Sequence, residues 1–292
     1  MPTLLEMPPE ILTEIAGFVG FPEIFTLGQT CRDLKSFVDD LKLNHKLKSL
    51  SIRVSTDKMS LGCEQEDKKY SINFKKSDED QFFKSLEQIL KFQTSTLTEF
   101  FIEDPSPMPG FYCKMKIILE SRPSLLKVYE LSMKCKNQYQ ICSILSSLKP
   151  GTLERINIST LCWNKLKLNK VAKLDQWKEA KKLRIDGFTV SAHLTVLSSF
   201  QSIEVFSKTI FWTDLVMLKK LFLTTPNISR SCIIRYGCLI GENQWYKSLG
   251  PPTYEAFPCW EPYWKYFYPN SNGGFQIEWF YDFNDIRFET FY

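Results

Sequence analysis

The sequence predicts a chain of the α+β or α/β class, in which a small three-helix unit precedes an irregular strand–helix repeat domain and an aromatic-rich C-terminal cap. Apolar residues recur with helical spacing in the first 45 residues, pairs of alternating apolar residues recur mostly every 27 to 29 residues further on, and eighteen of residues 245–292 are aromatic. The expected boundaries are 1–45 for the helical unit, 46–80 for a connecting segment with one or two strands, 81–240 for the repeats and 241–292 for the cap.

The composition is typical of a globular protein, with 43% hydrophobic and 24% charged residues in 292. The sequence has neither a run of eighteen apolar residues nor an N-terminal secretory signal, so we expect no membrane span and no secretion. The nine cysteines are odd in number and form no Cys-x-x-Cys pair, which favours reduced thiols. Cys142 and Cys232 lie among apolar neighbours and are expected to be buried. These features indicate an intracellular protein, cytoplasmic or nuclear.

Charge is distributed unevenly along the chain. The first 40 residues contain seven acidic and two basic residues, a net charge of −5, so the remaining residues carry +9 to give the formal net charge of +4. The cations of this second part are scattered and form no concentrated stripe, which argues against a nucleic-acid partner.

The N-terminal unit is predicted to contain three short helices. The first follows Pro8 and Pro9, because proline fits the first turn of a helix, and its apolar stripe begins with Ile11, Leu12 and Ile15. About forty residues cannot bury a self-sufficient core, so this unit is expected to share its apolar surface with a partner or with the rest of the chain.

The segment Leu5-Glu6-Met7-Pro8-Pro9-Glu10-Ile11-Leu12-Thr13-Glu14-Ile15, followed by Thr30-Cys31-Arg32, resembles the F-box. The family usually has leucine at the position of Met7 and often tryptophan near Phe37, and both replacements keep apolar bulk. The resemblance implies a helix-in-groove contact with a Skp1-like adaptor and, through it, a cullin. The residues that it assigns to this contact are Leu5, Met7, Pro8, Ile11, Leu12, Ile15, Phe25 and Leu27. The alternative is that these helices only cap the downstream domain.

Alternating apolar pairs predict eight strands after residue 46: Leu50/Ile52, Tyr70/Ile72, Phe100/Ile102, Tyr129/Leu131, Ile156/Ile158, Leu183/Ile185, Ile203/Val205 and Cys232/Ile234. Stretches with a period near 3.6 lie between several of them, as from Phe82 to Leu90 and from Leu215 to Phe222. One strand and one helix cannot bury their apolar faces alone. Successive repeats should therefore stack with parallel strands, as an irregular leucine-rich-repeat-like solenoid or an open α/β sheet.

The segment Gln176-Trp177-Lys178-Glu179-Ala180-Lys181-Lys182-Leu183-Arg184-Ile185 is similar to a segment of the FTH domain, which follows an F-box in a large nematode family, the F-box A family. The two resemblances together cover residues 5–40 and about 80–290. They imply a substrate-recruiting subunit of a Skp1–cullin–F-box ubiquitin ligase. A single tryptophan just before a strand, such as Trp177, is expected to be buried.

The aromatic residues of the last segment allow two interpretations. Asn272-Gly273-Gly274 and Asn284-Asp285 are turn sequences, and the alternating residues between them favour a closing cap built from hairpins. Tryptophan and tyrosine also dominate binding hot spots, so part of the segment is a candidate surface for recognition of a protein substrate. The residues assigned to that surface are Trp260, Tyr263 and Trp264.

No catalytic signature occurs in the sequence, which has no phosphate-binding glycine loop, nucleophile elbow or His-Glu-x-x-His motif. His45 and His193 are its two histidines and neither has a local partner signature, so we expect no catalytic residue, metal site or cofactor. The sequence therefore favours a non-catalytic ligase adaptor with an unknown protein target. The alternative is a solenoid that binds protein or RNA in a non-ligase role.

Overall fold

A computed structural model describes residues 7–18, 26–27, 30–41, 46–66, 68–91, 93–104, 108–190, 194–224, 230–251, 253–254, 262–268, 273–280 and 283–291. The chain divides into two compact units. The first comprises Met1–Glu130 and Ser147–Thr152, and the second comprises Leu131–Ser146 and Leu153–Tyr292.

The helices of the described residues are short. In chain order they are α1 (Pro9–Phe18), α2 (Arg32–Leu41), α3 (Glu79–Lys91), α4 (Phe111–Glu120), α5 (Gln138–Leu145), α6 (Asp175–Glu179), α7 (Trp212–Thr224) and α8 (Glu242–Leu249). Three 3-10 turns also occur, at Lys76–Asp78, Val171–Lys173 and Leu194–Leu197.

Strands alternate with these helices through most of the chain. They are β1 (Ser49–Val54), β2 (Lys58–Gln65), β3 (Lys68–Lys75), β4 (Leu97–Glu103), β5 (Val128–Lys134), β6 (Arg155–Leu166), β7 (Lys182–Val190), β8 (Ser202–Phe211), β9 (Ser231–Ile240), β10 (Thr253–Tyr254), β11 (Pro262–Phe267), β12 (Gly274–Phe280) and β13 (Asp285–Phe291). All eight apolar pairs predicted from the sequence lie on strands.

In the first unit the strands are ordered β4-β1-β2-β3. Strand β1 runs parallel to β4 and antiparallel to β2, and its buried Ile52 lies opposite Ile102 and Leu61 in the two neighbours. These buried side chains lie on one face of the sheet, and helix α3 covers that face. The ring of Phe82 on α3 lies 5.6 Å from the ring of Phe74 on β3. Alternate strand residues therefore form a core with one helix layer.

Residues 46–80 contain three strands, where the sequence led us to expect one or two. The additional strand is β2, in which Met59, Leu61 and Cys63 are buried. Its other residues include Gly62, a weak strand former, and the alternation is therefore less evident in the sequence than in β1.

In the second unit β6, β7, β8 and β9 lie side by side in chain order, and each pair is parallel. This order is the one that stacked strand–helix repeats require. The connections differ in length and kind, from the 13-residue helix α7 to the four-residue 3-10 turn Leu194–Leu197. A leucine-rich-repeat-like array stays a prediction.

Trp177 in the middle of α6 is buried, as the sequence predicted, with 1% of its surface exposed. Its indole N–H donates to the carbonyl of Val196 at 3.2 Å, and its ring meets that of Phe200 edge to face at a centroid distance of 5.0 Å. The indole therefore joins α6 to the segment that precedes β8, which is a packing role.

The C-terminal segment forms the predicted hairpins. Strand β11 pairs antiparallel with β12, which pairs with β13, and β13 pairs antiparallel with β9. Phe222 of α7 packs against Phe275 and Phe288 of the hairpins, at ring distances of 5.5 and 5.4 Å. Helix α8 also lies in the region that the sequence assigned to the aromatic-rich cap, and its Trp245 is fully buried.

Gln93, which follows α3, holds the backbone at the start of the first sheet. Its side-chain carbonyl accepts from the N–H of Leu47 at 2.9 Å, and its amide donates to the carbonyls of Leu47 at 3.2 Å and Ser95 at 3.1 Å. Gln93 is only 1% exposed and Leu47 is equally buried. Buried backbone groups need hydrogen-bond partners. The Gln93 amide supplies to Leu47 the hydrogen bonds that a neighbouring strand would otherwise supply.

Among the cysteines whose side chains the structure describes, three are buried in the strand core or beside it. Burial raises the pKa of Cys63, Cys135 and Cys232 to about 12 in each case. The predicted burial of Cys232 is confirmed, whereas Cys142 is half-buried. Three further thiols are exposed: Cys31, Cys113 and Cys238.

Replacement of Gln93 by leucine should lower the free energy of unfolding by at least about 2 kcal/mol, because the buried N–H and carbonyl of Leu47 lose their partners. Urea denaturation followed by circular dichroism measures this change. The control is Gln201→Leu at an exposed position, where a change below about 0.5 kcal/mol is expected. Equal stability of the two variants would show that the Gln93 contacts do not matter.

The thiols should divide into two groups in a native labelling experiment with iodoacetamide at mildly alkaline pH. The attacking species is the thiolate, so a pKa of about 12 and burial protect Cys63, Cys135 and Cys232. Peptide mapping by mass spectrometry should find these three unmodified and Cys31, Cys113 and Cys238 modified, with all six labelled in denaturant. Rapid native labelling of any buried thiol would contradict the packing described above.

Candidate partner-binding surfaces

Helix α1 presents an apolar ridge to solvent. Ile11 and Ile15, one helical turn apart, are 45% and 38% exposed, and Pro8 just before the helix is also exposed. Residues at positions i, i+3 or i+4 and i+7 share one helix face. Pro8, Ile11 and Ile15 therefore form a continuous strip, which we call the α1 ridge.

The remaining residues of the predicted docking surface have different positions. Leu12 is only 7% exposed, so its side chain is part of the buried interior and not of a free docking surface, contrary to expectation. One residue advances the helix by about 100°, which turns Leu12 away from the exposed Ile11 and toward the interior. Met7 and Leu27 are half-buried. Leu5 and Phe25 lie outside the described residues.

Helix α2 also has one buried apolar side and one exposed side. Leu34 is buried, whereas Arg32, Asp33 and Lys35 are exposed. Helix α2 thus contributes an apolar side chain to the interior and charged groups to the surface, and the exposed large apolar residues of the described helical unit are those of α1.

Trp264 of the cap is buried, although the sequence assigned it to a surface for substrate recognition. Its indole is 3% exposed, its N–H donates to the carbonyl of Gly250 at 3.0 Å, and its ring lies 5.8 Å from that of Tyr246. It therefore belongs to the interior of the cap, because inward-facing positions of β11 pack on α8. Tyr263 is half-buried, with the ammonium of Lys265 at 5.2 Å from its ring centre. Trp260 lies outside the described residues.

Two other aromatic side chains of the cap do reach solvent. Phe267 is 62% exposed and Phe283 is 72% exposed. Phe267 ends β11 and packs edge to face on Phe291 at 5.5 Å, while Phe283 lies in the turn between β12 and β13. The sequence does not distinguish these two residues from the buried aromatic residues of the cap, because residue type alone does not show which side chains face solvent.

Neither a cluster of metal ligands nor a membrane-spanning helix is found among the described residues. In this part of the chain, no three His, Cys, Asp or Glu side chains come together in a way that could hold a metal ion. None of its helices is long and apolar enough to cross a membrane. His45 and His193 lie outside the described ranges.

Comparison with known protein families identifies two domains. Residues 4–46 match the F-box domain and residues 110–244 match the FTH domain. The first match contains α1 and α2, and the second contains the segment around Trp177. The FTH match is shorter than the 80–290 suggested by the sequence resemblance, and it excludes the aromatic cap beyond residue 244. No curated protein and no solved structure matches the chain.

Proposed function

Because the chain combines an F-box domain with a C-terminal FTH domain, we propose that it is a substrate-recognition adaptor of a Skp1–cullin–F-box ubiquitin ligase. F-box domains in general bind Skp1-like proteins. The N-terminal helices bind such a protein and, through it, a cullin, while the strand–helix region binds a target protein. The target is a protein of unknown identity.

The observation that carries this proposal is the exposed α1 ridge. Complete burial of an isoleucine side chain stabilises a contact by roughly 1.5–3 kcal/mol, and Ile11 and Ile15 retain a large part of that surface in the isolated chain. An apolar helix face of this kind fits a hydrophobic groove of a partner. A helix that only caps its own chain would bury this ridge, so the exposure of the two isoleucines favours the adaptor.

The mechanism of such an adaptor is proximity. Two binding surfaces on one chain hold the target beside the ubiquitin-conjugating enzyme that the cullin scaffold carries. Transfer of ubiquitin to a target lysine then occurs at a raised effective concentration. The adaptor itself supplies positioning and takes no part in bond formation, which agrees with the usual non-catalytic role of F-box and FTH modules.

A double substitution of the α1 ridge, Ile11→Asp with Ile15→Asp, tests the proposal. It should weaken binding of a purified Skp1-like protein from the same organism by at least about a hundredfold, because the loss of two apolar contacts costs at least about 3 kcal/mol. Isothermal titration calorimetry measures the affinity, and circular dichroism should show an unchanged thermal midpoint, since both residues are exposed in the free chain.

The matched control is Ile117→Asp. Ile117 lies on α4, outside the F-box match, and is 66% exposed, so the same chemical change should leave the affinity unaltered. The adaptor proposal fails if the native chain does not bind the Skp1-like protein, or if the ridge variant binds as tightly as the control. Binding of RNA with a steep dependence on salt would instead support the non-ligase solenoid.

A further inference from the structure

Strand β3 forms a free edge of the first sheet. It comes last in the strand order, and no other described strand pairs with its outer side. The strand lies in residues 68–75, between the segments matched by the F-box and FTH domains. It is therefore a feature for which neither domain match accounts.

The pairing of β3 with β2 shows which of its backbone groups face away from the sheet. The N–H of Lys76 donates to the carbonyl of Asp57 at 3.1 Å, and these two residues continue the register of the two strands. Hydrogen-bonded and non-hydrogen-bonded residue pairs alternate along an antiparallel pair. The residues of β3 in non-hydrogen-bonded pairs therefore point their N–H and C=O groups outward. These residues are Lys69, Ser71, Asn73 and Lys75.

Strand β3 is long and regular for an exposed edge. It has eight residues, contains no proline, and keeps a continuous register with β2. Proteins usually protect such an edge with a short strand, a bulge, a proline or charged side chains, especially lysine. Of these features β3 has the lysines. In a symmetric antiparallel pair of two copies of this chain, Lys69 would lie opposite Lys75 of the second copy, so the lysines disfavour self-pairing and favour an acidic strand.

The sheet face opposite α3 is positively charged beside this edge. On β2 and β3 it carries Lys58, Glu64, Lys69 and Lys75, a net charge of +2. We call Lys58, Lys69 and Lys75 the edge lysines. Lys58 and Lys75 are both exposed and lie directly opposite each other in a non-hydrogen-bonded pair, where side chains are closest. Like charges in this position destabilise a sheet, and a carboxylate on an added strand would relieve the repulsion.

The acidic residues near the edge lysines have other partners. Glu64 lies opposite Lys69 but forms its ion pair with Lys48, at 3.4 Å. Asp57 and Asp78 each accept a hydrogen bond from a neighbouring serine hydroxyl, at 3.0 and 2.9 Å. The edge lysines form no ion pair with any residue that the structure describes. Because Glu64 offsets part of the charge at Lys69, the excess of positive charge is greatest at the other end of the strand.

The sheet face beneath α3 offers apolar contacts at the same edge. Tyr70 and Ile72 of β3 are half-buried on this face, and Phe74 is buried. Side chains directly opposite each other on neighbouring strands are in contact. Apolar side chains of an added strand would therefore cover the part of Tyr70 and Ile72 that solvent reaches.

We propose that β3 pairs with an extended segment of a partner protein in which acidic and apolar residues alternate. The segment bonds to the outward backbone groups of β3, its carboxylates lie beside Lys69 and Lys75, and its apolar side chains cover Tyr70 and Ile72. About seven residues, at about 3.4 Å each, reach from one lysine to the other. The assignment of this segment to a ligase target rests on the proposed function, whereas the strand pairing does not.

The test uses the full chain and a rhodamine-labelled heptapeptide, Glu-Val-Thr-Val-Thr-Val-Glu, with neutral ends. In two comparison peptides glutamine or lysine replaces both glutamates. Fluorescence anisotropy at low ionic strength should give a Kd below about 1 mM for the glutamate peptide and affinities at least about fivefold weaker for the other two.

Amide hydrogen exchange measured by NMR is specific to strand pairing. Saturating glutamate peptide should slow exchange at least about threefold at the outward N–H groups, because these groups gain hydrogen bonds. The N–H groups of Tyr70 and Ile72 already bond to β2 and should exchange at unchanged rates. The outward groups are those of Lys69, Ser71, Asn73 and Lys75.

A proline substitution blocks the edge itself. Asn73→Pro removes an outward N–H but no bond to β2, a position at which an edge strand tolerates proline. It should abolish peptide binding and leave the fold intact by circular dichroism. The matched control is Asn73→Ala, which keeps the backbone donor and should change the affinity by less than about twofold.

A charge substitution tests the lysines. Lys69→Gln with Lys75→Gln should weaken binding of the glutamate peptide at least about fivefold and leave binding of the glutamine peptide unaltered. The control pair Lys173→Gln with Lys247→Gln removes the same charge at exposed positions elsewhere and should change the affinity by less than about twofold.

Several results would overturn the proposal: no binding of the glutamate peptide, equal binding of the glutamine peptide, exchange protection that does not alternate, binding by Asn73→Pro, or tighter binding of a single-stranded RNA. Slow exchange of the outward N–H groups before peptide is added would also overturn it, since the edge would then already be paired. The Skp1 assay separates these outcomes from failure of the adaptor role. Asn73→Pro should bind the Skp1-like protein normally, and the α1 ridge variant should bind the glutamate peptide normally.

Discussion

The alternation of side chains along the strands is the constraint on which the rest of this structure depends. Leu50, Ile52, Leu61, Phe100 and Ile102 are fully buried beneath helices, and the strand period of two places the residues between them on the opposite face. In the second unit the same rule buries Ile156, Ile158 and Val205. The apolar half of each strand builds the core, and the other half is available for binding.

Two exposed surfaces of the described residues differ in chemical character. The α1 ridge is an apolar strip on a helix, suited to a hydrophobic groove in a partner, whereas the exposed face of the first sheet is polar and carries both charges, with Arg53 and Lys69 beside Glu64 and Glu99. Surfaces so different select different partners. An adaptor requires this property, because it must hold two unrelated proteins at the same time.

The sequence predicts those parts of the structure that depend on the pattern of neighbouring residues. The F-box residues from Met7 to Ile15, the FTH segment around Trp177 and the alternating apolar pairs are each carried by neighbouring residues, and the domain matches and the strands agree with them. Strand β2 was missed, because Gly62 and the polar residues beside it weaken the pattern. Trp264 was assigned to a surface because aromatic residues serve both cores and interfaces, and composition does not distinguish the two uses.

The sequence by itself determined the order of elements, the presence of two domains and the absence of familiar catalytic signatures, since each depends on residue types and their spacing along the chain. Only the tertiary structure decided which apolar residues stay exposed and which carboxylates come together. Leu12 and Ile11 are adjacent and similarly apolar, yet one is buried and the other exposed, because helix rotation sends them to different sides. Glu64 and Glu99 are far apart in sequence, yet strand pairing places both in one row, on either side of Ser49 and with Lys69 opposite Glu64.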